Sequence, residues 1–154
     1  MTTTVRDATP ADAAALVRIR EVMLAGFLVD LGDGSWRAEG TDVLREQLEN
    51  GGMIGVLAEV DGVVASGALA RVWRQLPGPD DDGWRGWIFS VATEEGYRRR
   101  GLARGVVSRL VERLDGMGLP RIDLTASPEG MGLYLSLGFA PTDAPLLRRR
   151  RPRA

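Results

Sequence analysis

The chain has 154 residues, 44% of them hydrophobic and 27% charged, with a formal net charge of −1. At that length one domain is the default, and it can bury a core without disulfides or metal. Histidine, cysteine and lysine are absent, which excludes Ser-His-Asp and Cys-His catalysis, the usual zinc sites, the Walker phosphate loop and Schiff-base chemistry. The near-balanced charge gives no global pull toward nucleic acid, and no apolar run is long enough to span a membrane. Met1 to Pro10 lacks a basic segment followed by an apolar one, so a cytoplasmic protein is expected. All 20 basic residues are arginine, a bias that suggests a GC-rich bacterial source.

In chain order, residues 2–8 predict a strand. Pro10-Ala11-Asp12 predicts a helix start with Thr9 as its cap, and Leu16, Ile19, Val22, Met23 and Phe27 keep helical spacing. Residues 31–40, with Gly32, Gly34 and Gly40, predict a loop. A second helix is expected from Thr41, with Val43, Leu44 and Leu48 inward, ending at Asn50-Gly51-Gly52. Residues 53–60 and 63–76 predict two strands joined by the hairpin signal Asp61-Gly62. A Pro/Gly/Asp loop at 77–83 precedes a strand at 84–93. A helix over 101–117 shows an apolar stripe of Leu102, Val106, Leu110 and Leu114. A strand at 121–126, a short helix at 131–137 and final strands from Phe139, including 144–148, complete the order. Hairpins imply antiparallel pairing, and the strand–helix–strand from Trp84 to Ala126 implies one parallel pair. The expected fold is α/β (α+β): a mixed, mostly antiparallel sheet flanked by helices, with a central parallel strand pair. Residues 1–147 form one domain and 148–154 a basic C-terminal tail.

The segment Val91-Ala92-Thr93-Glu94-Glu95-Gly96-Tyr97-Arg98-Arg99-Arg100-Gly101-Leu102-Ala103-Arg104 carries the chemistry. It reads as a strand end, an arginine-loaded turn and a helix opening on small residues. A helix start offers unpaired N–H groups and partial positive charge. Cations there are unfavourable unless an anion is also present, so the arginines point to a phosphate cradle. Gly101 and Ala103 leave the backbone open to close approach. A dinucleotide-binding turn fits less well, because its glycines should follow the strand at once.

The string Arg98-x-x-Gly101-x-Ala103 resembles the coenzyme A signature of the GNAT superfamily of N-acetyltransferases. Leu133-Tyr134-Leu135-Ser136-Leu137-Gly138-Phe139 resembles that family's closing segment, and the element order is similar throughout residues 2–147. The resemblance implies acetyl-CoA as acetyl donor and a small-molecule or peptide amine as acceptor, attacking the thioester directly. It implies that the backbone of Val91, Ala92 and Thr93 pairs with the pantetheine arm. It further implies that backbone groups of Arg99, Arg100, Gly101, Leu102, Ala103 and Arg104 hold the pyrophosphate. Tyr134 takes the place of a general acid for the departing thiolate, or packs as an ordinary aromatic. Ser127 stands where the family often has a cofactor-touching asparagine, or simply caps a turn before Pro128.

No carboxylate lies on the strand before the turn, where many members carry a glutamate. Base candidates are Glu39, Asp33, Glu59, Asp80–Asp82, or a water. The acceptor pocket is expected between residues 27–40 and 76–84, using Phe27, Asp30, Trp36 and Trp84. Its acids and aromatics suit an organic cation. No metal, membrane or nucleic-acid partner is expected, and the resemblance allows a homodimer. Two other classes are a non-catalytic acyl-CoA-binding protein and a nucleic-acid-binding protein using the arginine tail.

Overall fold

A computed structural model describes residues 1–152; Arg153 of the expected basic tail lies outside the described residues. Strands β1 (Thr3–Asp7), β2 (Met53–Val60), β3 (Val63–Arg74), β4 (Trp84–Thr93) and β5 (Arg121–Leu124) form one sheet in the order β1-β2-β3-β4-β5. Neighbours are antiparallel except β4 and β5, which run parallel. Helices α1 (Ala13–Gly26), α2 (Trp36–Asn50), α3 (Leu102–Gly116) and α4 (Met131–Ser136) pack on the sheet. The mixed sheet, flanking helices and parallel pair are as the sequence pattern implies, but the pair lies at the edge of the described sheet and not at its centre, because no strand follows β5 there. No described helix is long and apolar enough to cross a membrane.

The two faces are built differently. Under α3, the sheet is paved with small buried residues, Ala58, Ala65, Ala68 and Ala70, which let Leu102, Val106, Leu110 and Leu114 seat closely. On the opposite face, Leu16 and Val17 of α1 and Leu44 of α2 meet Leu57 and Leu69. Gly67 makes that contact: a Cβ there would stand 2.9 Å from Leu16 Cδ2. Asp61 (φ 50°) and Gly62 (φ 82°) make the expected hairpin turn. Arg6 of β1 binds Asp12 at 2.9 Å and Glu59 of β2 at 2.8 Å, tying the first strand to the start of α1. Hydrogen bonding to Arg6 holds the Asp12 carboxyl down at about 2, and the N–H of Thr9 adds to it.

Three expectations change. The second helix begins at Trp36, five residues before Thr41, and runs through Gly40. Its start is fixed by one loop contact and one between helices: the Trp36 indole donates to the Leu31 carbonyl at 2.9 Å, and Arg37 pairs with Glu21 of α1. Val43 is exposed, while Leu44 and Leu48 do pack inward. No strand follows Phe139 among the described residues. Pro141 and Pro145 lack the N–H that a ladder needs, and Leu146 and Leu147 lie exposed. The outer edge of β5 is therefore unpaired among the described residues.

Candidate active site

β4 and β5 pair from Arg85↔Arg121 to Ile88↔Leu124, where β5 ends. β4 continues to Thr93 with a neighbour only on its β3 side. The backbone from Phe89 to Thr93 thus borders an open split in the sheet. At the head of the split, Ser90 and Val91 together face Ala68, an extra residue that makes a bulge. Ser90 has φ 56°, a left-handed conformation disfavoured for a residue with a Cβ. It is 6% exposed, and its Oγ has no hydrogen-bond partner among the described residues. Strain and an unsatisfied hydroxyl on one buried residue mark a place shaped for something besides stability. The bulge also sets facing. Val91 packs with the α3-side cluster, whereas Phe89 packs with the α1/α2-side cluster.

Beyond β4 the chain makes one short 3₁₀ turn, Glu95–Tyr97, then enters α3. Arg99 (φ 62°) and Gly101 (φ 76°) both take positive φ on either side of Arg100, and left-handed residues in a turn can aim successive N–H groups into a concave anion site. Among the described residues, no acceptor pairs with the N–H groups of Arg99 to Arg104, and α3 has no side-chain cap. Gly101 is required by its positive φ; the space where a Cβ would stand is open. Arg98 is used locally, donating to the Thr93 carbonyl at 3.1 Å. Arg100 lies over the Tyr97 ring, and Arg104 donates to Ser136 Oγ at 2.9 Å, linking the first turn of α3 to α4.

Tyr134 of α4 is 9% exposed and packs in the cluster that holds Leu102 and Val106, with Val91 and Ala126 at its margin. Phe139 meets its ring edge-on at 6.1 Å. Gly130 allows the ring to lie close, since a Cβ there would stand 2.9 Å from it. Burial pushes the phenol above its ordinary value, so it stays protonated at neutral pH. Ser127 accepts the Gly130 N–H at 3.2 Å on its hydroxyl, the turn-capping arrangement. A cavity of about 520 Å³ lies beside Tyr134 but follows β5, α4 and residues 139–142, away from the arginine turn.

The four residues expected at the acceptor pocket do not converge. Phe27 caps α1 and is 60% exposed. Asp30 accepts the Gly32 N–H at 2.9 Å within its own loop. Trp84 starts β4, six residues before Ser90, or about 20 Å along the strand. Only Trp36 lines a cavity near the bulge, one of about 200 Å³ whose wall includes Phe89 and Arg20. The base candidates are engaged or distant. Glu59 pairs with Arg6, Asp81 with Arg85, Asp82 accepts the Trp84 N–H, Asp33 accepts the Ser35 N–H, and Glu39 is exposed in the first turn of α2. Two features escaped sequence reasoning: the strain at Ser90, which has no sequence signal, and Arg20. Arg20 did have one, as a cation four residues after Leu16 on an apolar helix face.

The family model described as Acetyltransferase (GNAT) family matches residues 17–139. An acetyltransferase of Yersinia pestis (strain Pestoides F) is 26% identical over 98 residues, covering 62% of this chain and 63% of that protein. The match therefore spans just under two thirds of the length of the curated relative. The crystal structure of a predicted acetyltransferase from Clostridium acetobutylicum with acetyl-CoA superposes with a TM-score of 0.84 at 26% identity, covering 96% of each chain. A GCN5-related N-acetyltransferase from Ralstonia eutropha JMP134 shares the fold, with a TM-score of 0.82 at 23% identity over 96% of this chain and 99% of that one. The split sheet, the bulged strand and the open arginine turn lie within or beside the matched residues, and the chain belongs to the acetyltransferase (GNAT) family.

Proposed function

We propose that the protein transfers an acetyl group from acetyl-CoA to a primary amine, the amine attacking directly without a covalent enzyme intermediate. The observation that carries this reading is the split between β4 and β5, which ends beside six unpartnered N–H groups, those of Arg99 to Arg104. Bound acetyl-CoA supplies an acetyl group already activated as a thioester. The backbone of Val91, Ala92 and Thr93 takes the pantetheine arm as a strand takes a neighbour. The turn from Arg99 to Arg104 takes the pyrophosphate through N–H groups, helix charge and guanidinium charge. The N–H that follows the bulge polarises the acetyl carbonyl. Tyr134, held protonated by burial, donates a hydrogen bond to the leaving sulfur. Ser127 keeps α4, and with it Tyr134, in place through its cap.

The second reading, a non-catalytic acyl-CoA binder, is favoured by one observation. The carboxylates named as base candidates are engaged elsewhere or distant from the bulge. One experiment separates the two: calorimetric titration with acetyl-CoA, then thiol release across an amine panel, for wild type and Tyr134→Phe. One-site binding with amine-dependent thiol release supports transfer. The Tyr134→Phe protein should then keep its acetyl-CoA affinity and lose about tenfold or more in kcat. Binding without release under any amine supports the binder, and no binding at millimolar acetyl-CoA removes both.

A further inference from the structure

The cavity of about 200 Å³ between α1, α2 and the sheet holds a charge that the transfer reading leaves unused. Its floor is Phe89 with Leu69, its cross-strand partner. The floor therefore ends one residue before Ser90 and the head of the split. The remaining lining is apolar except for Arg20, whose guanidinium stands over the Phe89 ring at 5.8 Å from its centroid. Arg18, two residues earlier, is committed to Glu94 and the Val64 carbonyl. Among the described residues, Arg20 has no carboxylate partner. No acid among the described residues lines the cavity.

A half-buried guanidinium against an apolar floor loses hydration, and a ring face offsets only part of that loss. What restores it best is a carboxylate, which the planar fork binds through two parallel hydrogen bonds. The volume sets the rest of the ligand. An apolar cavity of about 150 Å³ holds benzene, so this one seats a single ring or a branched alkyl group. We propose that Arg20 selects as acetyl acceptor a free α-amino acid with an apolar side chain. The side chain fills the cavity, the carboxylate meets Arg20, and the amine lies toward the bulge at Ser90. This rests on the acetyl-transfer reading and replaces the organic cation that Asp30 and the tryptophans suggested. Pairing the substrate's carboxylate with Arg20 also offsets its attraction for the ammonium and so favours the neutral amine, which is the nucleophilic form. That would lessen the need for a dedicated base.

The test is thiol release at saturating acetyl-CoA with matched acceptors: phenylalanine against phenethylamine, and leucine against 3-methylbutylamine. Wild type should favour the amino acid about tenfold or more in kcat/KM, mostly through KM, the size expected of a charge-assisted pair. Arg20→Met should bring the ratio close to one with acetyl-CoA affinity unchanged. Arg20→Lys, which keeps charge without the fork, should retain a reduced preference, and it serves if the neutral variant does not fold. Wild type using the decarboxylated amines equally well, or Arg20→Met keeping the wild-type ratio, overturns the role of Arg20 and leaves acetyl transfer standing. Acetyl-CoA binding with no thiol release for any amine overturns the transfer reading, and this inference with it.

Discussion

Ser90 bears two unfavourable terms at once, a left-handed φ and a buried hydroxyl with no partner among the described residues. The first costs about 1–2 kcal/mol in an L-residue, and the second about 1–3 kcal/mol when the group is buried. Glycine removes both and adds an entropic cost of about 0.5–1 kcal/mol. Ser90→Gly should therefore stabilise the fold by about 1–4 kcal/mol, read as a higher urea midpoint. Ser90→Ala keeps the strain but removes the unsatisfied hydroxyl, and should stabilise by about 1–3 kcal/mol. Both should lower amine-dependent thiol release several-fold, the exchange of stability for function expected at such a site. A loss of more than about 1 kcal/mol in Ser90→Ala would mean that the hydroxyl is bonded in the free protein, contrary to the geometry.

At the scale of elements, the turn into α3 depends on Gly101 for its dihedral. Gly101→Val places a β-branched residue at φ 76°, which costs about 2 kcal/mol or more and disrupts the row of N–H groups. Acetyl-CoA affinity should fall more than tenfold by calorimetry. Gly116→Ala, in the last turn of the same helix where a Cβ meets open space, should leave it unchanged. The elements legible in the sequence are those with strong local signals: the Leu102–Leu114 stripe, the Asp61-Gly62 turn, and β4 from Trp84 to Thr93. The turn between β4 and α3 was legible for the same reason, because arginine and glycine spacing is local. The start of α2 was not. Glycine-rich composition argued for a loop, but contacts from Trp36 to Leu31 and Arg37 to Glu21 outweigh propensity. The surroundings of residues 27–40 were less legible, because Asp30 and Asp33 bond within their own loop and only tertiary packing brings Arg20 to Phe89. The bulge at Ser90 has no one-dimensional signature, since it is a property of register.

For the whole molecule, the ion pairs of Arg6 join β1, the start of α1 and β2. Asp12 titrates at about 2 in the folded chain, below its ordinary range near 3.9. Because the folded value is depressed, the stabilisation is complete above about pH 4 and is lost as pH falls toward 2. After allowance for solvent screening it amounts to about 1–2 kcal/mol. Asp12→Asn should be less stable than wild type by that amount in urea at pH 7, and the gap should close by about pH 2; a constant gap would place the pair outside the acid transition. The opposite side of the sheet is held less firmly. β5 has four residues and one hydrogen-bonded neighbour, while β4 has ten residues and neighbours on both sides along part of its length. One lip of the split is thus strongly anchored and the other weakly, so the weak lip opens at a free energy below that of global unfolding. A donor that needs both lips binds only the closed form, and its occupancy and the folding of β5 become one linked equilibrium. The heat capacity of donor binding will then include apolar surface that the protein itself buries as its last strand settles, beyond what the ligand covers.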